Sequence, residues 1–188
     1  MEPIYWKTGL DDIEAFIQKV QRGKAEAVAK SAGGRKIYLV RYGEGNDLHR
    51  TSNLSSALGA GDKKYYADKT QSGYRPTVLL VGCIHGGEFE GTAALLNLIH
   101  ILETGKDFAG DPYPYFEHLC EKITLLIIPC ANPDGRSRIP VKSLVGRSFE
   151  ELRYYNQGTW KDGTLCGYPD CKKVHPIKEY AGFLGAYF

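Results

Sequence analysis

Two short stretches of this 188-residue sequence carry side chains that can do chemistry. His85-Gly86-Gly87-Glu88 sets an imidazole and a carboxylate three residues apart, and both are donors that zinc accepts. The two glycines between them let the backbone turn sharply. Across a strand-to-helix turn this spacing can aim both groups at one point. The Glu is then a ligand, and a general base must come from elsewhere. The competing reading makes His85 a helix cap and Glu88 a first-turn carboxylate favoured by the helix dipole. Two ligands alone do not make a site. The second stretch, Asn132-Pro133-Asp134-Gly135, has the residue types of a tight turn after a strand. Its interest lies in where the fold would put it.

The elements around these stretches decide that. Val78-Leu79-Leu80-Val81 is a continuous apolar run that predicts a strand buried on both faces, central in a parallel sheet. Residues 89–103 predict a helix apolar on most of its surface, ended by Gly105. A second short helix is expected over 113–122, and another buried strand over 123–130. Strand, helix, strand gives a right-handed βαβ unit. Functional groups in open α/β sheets sit just past the carboxyl ends of such strands. Asn132 and its neighbours are therefore expected on the same edge as His85 and Glu88. Upstream, residues 10–30 predict an amphipathic helix broken at Gly23, with Asp11 and Asp12 in its first turn, and residues 36–42 a strand. Residues 43–73 read as polar loop with local packing over 54–58, residues 148–155 as a short helix, and 156–176 as loop. The expected fold class is α/β, a mixed, largely parallel sheet flanked by helices.

Composition limits the alternatives. The chain is long enough to bury a core and suits one domain. Its hydrophobic fraction of 43%, charged fraction of 24% and net charge of +2 argue against nucleic acid or a membrane surface as partner. No segment approaches the ~20 apolar residues that span a bilayer. No signal peptide is expected from the amino terminus. Five cysteines, with Cys83, Cys120 and Cys130 in or near apolar runs, read as reduced core thiols of a cytoplasmic protein.

Taken together, HGGEFEG after a VLLV strand, then a helix, a second strand and NPDGR, resemble the zinc metallocarboxypeptidase family of the carboxypeptidase A type. The resemblance covers about residues 36–147. The two motifs in order, each after a buried strand, are fairly specific, whereas neither alone would be. It implies a zinc cofactor and hydrolysis of a carboxy-terminal peptide or related amide bond. The substrate would be a peptide or small amide with a free carboxylate. His85 and Glu88 match two of the family's zinc ligands. Arginines and an Asn bind the substrate carboxylate in that family, which points to Arg147, Arg136 and Asn132, with Arg138 and Arg153 as rivals. An Arg suits that role because its planar fork binds a carboxylate bidentately. The competing reading of each Arg is a solvated surface charge.

The sequence departs from the family pattern in one large respect. The third-ligand His and the general-base Glu should follow a further strand, and Phe188 comes before any such strand. His175 sits in a polar loop, and Glu179 is no better placed as a base. Residues 1–188 are therefore expected to be the amino-terminal portion of a single catalytic domain, with the third His and the base Glu beyond Phe188. Cys166, Cys171 and His175 could be read as a zinc knuckle, but such a site needs four ligands, so reduced loop cysteines are the default. Tyr154, Tyr155, Trp160, Tyr168 and Tyr180 either line a cleft or simply pack. Two other readings stay open. Enzymes of the aspartoacylase and succinylglutamate desuccinylase type share an HGxE-like pair, and a non-catalytic α/β binding domain would keep the fold with an incomplete metal site.

Overall fold

The computed structural model describes residues 3–44 and 74–156 and two short strands, Gly158–Thr159 and Leu165–Cys166. The expected loop over 45–73, with its packing at 54–58, lies outside the described residues, as do His175, Glu179 and Cys171. Helix α1 spans Leu10–Ile17, and strands β1 (Lys24–Lys30) and β2 (Lys36–Tyr42) form a hairpin. Strand β3 (Thr77–Val81) leads into the long helix α2 (Phe89–Thr104). A 3₁₀ turn (Pro114–His118) and a single helical turn α3 (Leu119–Lys122) precede β4 (Thr124–Ile128). Helices α4 (Pro133–Arg138) and α5 (Phe149–Asn156) follow, then β5 (Gly158–Thr159) pairs with β6 (Leu165–Cys166).

The main sheet is mixed and has the order β1-β2-β4-β3. β3 runs parallel to β4, from Thr77 opposite Thr124 to Val81 opposite Ile128, while β2 runs antiparallel to both its neighbours. The α/β class and the flanking helices agree with the sequence reading. Among the described residues, only one of the three pairings is parallel, because an antiparallel hairpin supplies one side of the sheet. One apolar face carries the core, in which Val40, Leu125 and Ile127 from the sheet meet Leu95, Leu96 and Ile99 of α2 and Ile13 of α1. α2 forms as expected and ends at Gly105, whose φ of 76° is the left-handed geometry that glycine adopts freely.

Two expectations are corrected. β3 is not a central strand among the described residues but lies at the sheet edge, with Leu79 56% exposed. An apolar run reports affinity for burial; it does not count the neighbours on either side. The amphipathic helix expected over 10–30 stops at Ile17, and Lys24–Lys30 is a strand. Its cause is a carboxylate 80 residues and more away. Glu103 Oε2 accepts the backbone N–H groups of Gln21 (2.8 Å) and Arg22 (2.9 Å), and Oε1 accepts the Gly23 N–H (3.1 Å) and the Tyr42 hydroxyl (2.7 Å). Those bonds fix an extended turn where helical bonds would otherwise continue.

Glu103 therefore carries a measurable share of stability. Partial burial alone would raise its pKa, but the amides of Arg22, Gln21 and Gly23 and the Tyr42 hydroxyl outweigh it and hold the carboxyl below its ordinary value. A depressed folded pKa stabilises above the unfolded value of about 4.3 and loses that effect as pH falls through the folded pKa. Replacing Glu103 with alanine is expected to cost about 2 kcal/mol in urea denaturation at pH 7, because several donors lose a charged acceptor. The gap between the two proteins should narrow below pH 4.

Candidate metal centre

The carboxyl ends of β3 and β4 are stitched together. Gly82 donates its N–H to the Ile128 carbonyl (2.9 Å), Ala131 donates to Gly82 (2.9 Å), and Asn132 donates to Cys83 (3.0 Å). Thr92 of α2, fully buried, adds a hydroxyl bond to the Pro129 carbonyl at 2.9 Å. The parallel pairing thus carries on past the strands and delivers both loops to one edge. Gly86 is required there: a Cβ on it would fall against the Gly135 carbonyl, so the two loops approach at a spacing only hydrogen fits.

On that edge, His85 Nδ1 lies 2.6 Å from Glu88 Oε1, and Glu88 Oε2 accepts the His85 backbone N–H at 3.3 Å. Their side chains are 40% and 49% exposed. Imidazole and carboxylate are in direct hydrogen-bond contact, and both face an accessible edge. Asn132 joins them, with its Nδ2 donating to the Ile84 carbonyl at 3.1 Å. Its Oδ1 accepts the Gly135 N–H at 2.8 Å. The NPDG stretch is consequently not a bare turn but the capped start of α4, with Pro133 in the first helical position.

The arginines separate by environment. Arg136 is 6% exposed, donates Nε to the Thr8 carbonyl (2.8 Å) and Nη1 to the Ile139 carbonyl (3.1 Å), and stacks 4.5 Å from the Phe89 ring centroid. Burial lowers its pKa from the ordinary value. It braces the start of α2 against α4. Arg147 is exposed ahead of α5 and pairs with Glu151 Oε1 at 3.1 Å. The side chain of Arg153 lies outside the described residues. Among the described residues, no group of three or more His, Cys, Asp or Glu side chains is placed to hold a metal ion.

Two residues named in the sequence have structural roles that it did not assign to them. Asp134, only 4% exposed, accepts the Ser31 hydroxyl (2.9 Å), the Gly33 amide (2.8 Å) and Arg35 Nη1 (2.8 Å), so it clamps the β1–β2 turn onto the edge. Cys83, buried between β3 and His85, holds a left-handed backbone at φ 50°. The Asp of NPDG was a visible signal for the first; the burial of Cys83 was expected from its apolar run, but its backbone geometry has no signal in the sequence.

A family model described as zinc carboxypeptidase matches residues 13–161. No curated protein matches the chain. Among solved structures, the chain is similar to a metallo-carboxypeptidase from Burkholderia cenocepacia, with 21% identity and a TM-score of 0.47 over 68% of this chain and 28% of that one. It is also similar to carboxypeptidase A from Helicoverpa armigera, with 19% identity and a TM-score of 0.48 over 77% of this chain and 28% of that one. The chain thus spans less than a third of the length of these two structures. No helix among the described residues is long and apolar enough to cross a membrane.

Proposed function

The chain belongs to the zinc carboxypeptidase family, and from that premise we propose that it serves a zinc-dependent carboxypeptidase that hydrolyses carboxy-terminal peptide or related amide bonds. Family membership supports a carboxypeptidase-like hydrolase. The observation that carries the finer reading is the 2.6 Å approach of His85 and Glu88 on an exposed sheet edge. The donor set fits zinc as two of the three protein ligands of a catalytic site, and among the described residues no third such side chain joins them. A zinc ion bound there supplies Lewis acidity toward an amide carbonyl and toward water.

The chain's own residues do the rest of what is proposed. His85 and Glu88 would hold the ion, and the continued β3–β4 pairing fixes their loop. Asn132, pinned to Ile84 and to its own helix, presents a fixed amide beside them toward the substrate's terminal carboxylate. Arg147, exposed and paired with Glu151, is the arginine that would turn to that carboxylate, while Arg136 braces the start of α2 against α4. A surface pair such as Arg147–Glu151 is worth only about 0–1 kcal/mol, so exchanging partners costs little.

An NMR titration with zinc present tests this reading. The probes are an N-acylated dipeptide with a free carboxyl terminus and the same dipeptide amidated. The expected result is a shift of the Asn132 side-chain amide and the Arg147 guanidinium signals with the acid and not with the amide. Equal responses to both would remove carboxylate recognition from the account.

A further inference from the structure

The amino ends of the two parallel strands carry a second charged feature, on the sheet edge opposite His85 and Glu88. Arg75 lies just before β3, Cys120 and Glu121 lie just before β4, and Arg41, Gly43 and Glu44 lie at the carboxyl end of antiparallel β2. With Arg22, Gly23 and Lys24 at the start of β1, they line an open cleft of about 750 Å³. The length of β3, five residues at about 3.3 Å each, sets that edge roughly 15 Å from the candidate metal centre.

Four cations share this cleft with two carboxylates. Among the described residues, none of Arg22, Lys24, Arg41 and Arg75 forms an ion pair, and Glu121 contacts His118 instead at 3.1 Å. The β1–β2 register sets Lys24 directly opposite Arg41, and like charges so placed repel. The backbone around the cleft is fixed. Glu103 accepts the N–H groups of Arg22 and Gly23, which holds the turn that carries Arg22. Thr124, 2% exposed, donates its N–H to the Pro76 carbonyl and its hydroxyl to the Glu44 carbonyl, both at 2.9 Å. A Cβ on Gly43 would fall against the Cys120 and Ile123 carbonyls, so these segments meet without a side chain between them.

Concave sites of about 300–1,000 Å³ suit small molecules, and a net charge of +2 is not that of a nucleic-acid binder. Guanidinium forks accept carboxylate and phosphate alike, so the charge count decides between them. With Glu121 drawn to His118, Glu44 alone offsets four cations and leaves a surplus of three. One carboxylate supplies a third of that charge. A chain of two or three phosphates supplies all of it, since a single group carries about −1.5 to −2. We infer that this cleft binds a small molecule through a chain of two or three phosphate groups, held by Arg22, Lys24, Arg41 and Arg75. The site is independent of the zinc reading of His85 and Glu88.

Calorimetric titration of the chain in EDTA tests this, with tripolyphosphate, ATP and a triglutamate peptide as probes. The salt is set at about 0.15 M, which screens exposed charges more than about 8 Å apart. One saturable site for tripolyphosphate or ATP is expected, unchanged in His85→Ala. It should weaken about tenfold in Arg41→Gln and in Arg75→Gln, the effect of losing one charge-assisted partner. Because Arg41 is exposed and faces Lys24, Arg41→Gln should melt no lower than the unaltered chain, which separates lost binding from lost folding. If it melts lower, Arg75→Gln decides. Tighter binding of ATP assigns a nucleotide, and equal or tighter binding of tripolyphosphate assigns a free phosphate chain; both support the inference. Absence of saturable binding overturns it, as does affinity that neither arginine variant alters. Loss with His85→Ala overturns it by moving the anion to the other edge. Triglutamate binding as tight as tripolyphosphate overturns phosphate as the ligand and assigns an acidic peptide.

Discussion

Replacing Asp134 with alanine is expected to lower stability by about 3 kcal/mol in urea denaturation, with the slope of the transition unchanged. The carboxylate is 4% exposed and is shared by Ser31, Gly33 and Arg35 at 2.8–2.9 Å. Alanine removes the one acceptor common to a backbone amide, a hydroxyl and a guanidinium. Arg35, itself 40% exposed, can turn to solvent. The expected cost therefore falls at the low end of the roughly 3–5 kcal/mol range for breaking a buried pair. The effect reaches the candidate site, because α4 carries both Asp134 and the Asn132 cap that pins Ile84. A loss below about 0.5 kcal/mol, the scale of an ordinary surface substitution, would show that the clamp does not hold the hairpin.

Glu88→Gln is expected to separate function from folding. The Glu88 side chain is 49% exposed and its contact with His85 is an i,i+3 surface pair, so its loss should change stability by less than about 1 kcal/mol. Zinc affinity should fall on the order of 100-fold or more. Loss of a mere outer partner costs about 10–100-fold, and here a charged ligand becomes a neutral amide. Thermal denaturation and equilibrium dialysis on the same samples give both numbers. A variant that loses stability by several kcal/mol yet keeps its zinc affinity would make Glu88 a structural carboxylate, the role a first-turn residue can also fill.

The parts of this molecule legible in sequence were those set by local pattern. The apolar runs at 78–81 and 123–130 located β3 and β4, and the pattern from Phe89 located α2 and its glycine stop. Together they placed HGGE and NPDG on one edge, which is how the structure arranges them. What escaped depends on partners distant in the chain. Nothing in KAEAVAK tells a strand from a helix; the Glu103 carboxylate that ends α1 early lies 80 residues on. The apolar character of β3 could not say that its only neighbour among the described residues is β4. Arg136 carries the charge of a surface residue, yet two carbonyls and the Phe89 ring hold it inside. The φ of Cys83 is a backbone property with no signature in residue type.

The central claim is that His85 and Glu88 form a zinc-binding pair. Calorimetric titration of zinc into the chain, into His85→Ala and into His175→Ala tests it most directly. The account predicts one weakly bound zinc in the unaltered chain, lost with His85→Ala and kept with His175→Ala. Zinc binding that survives His85→Ala would contradict it.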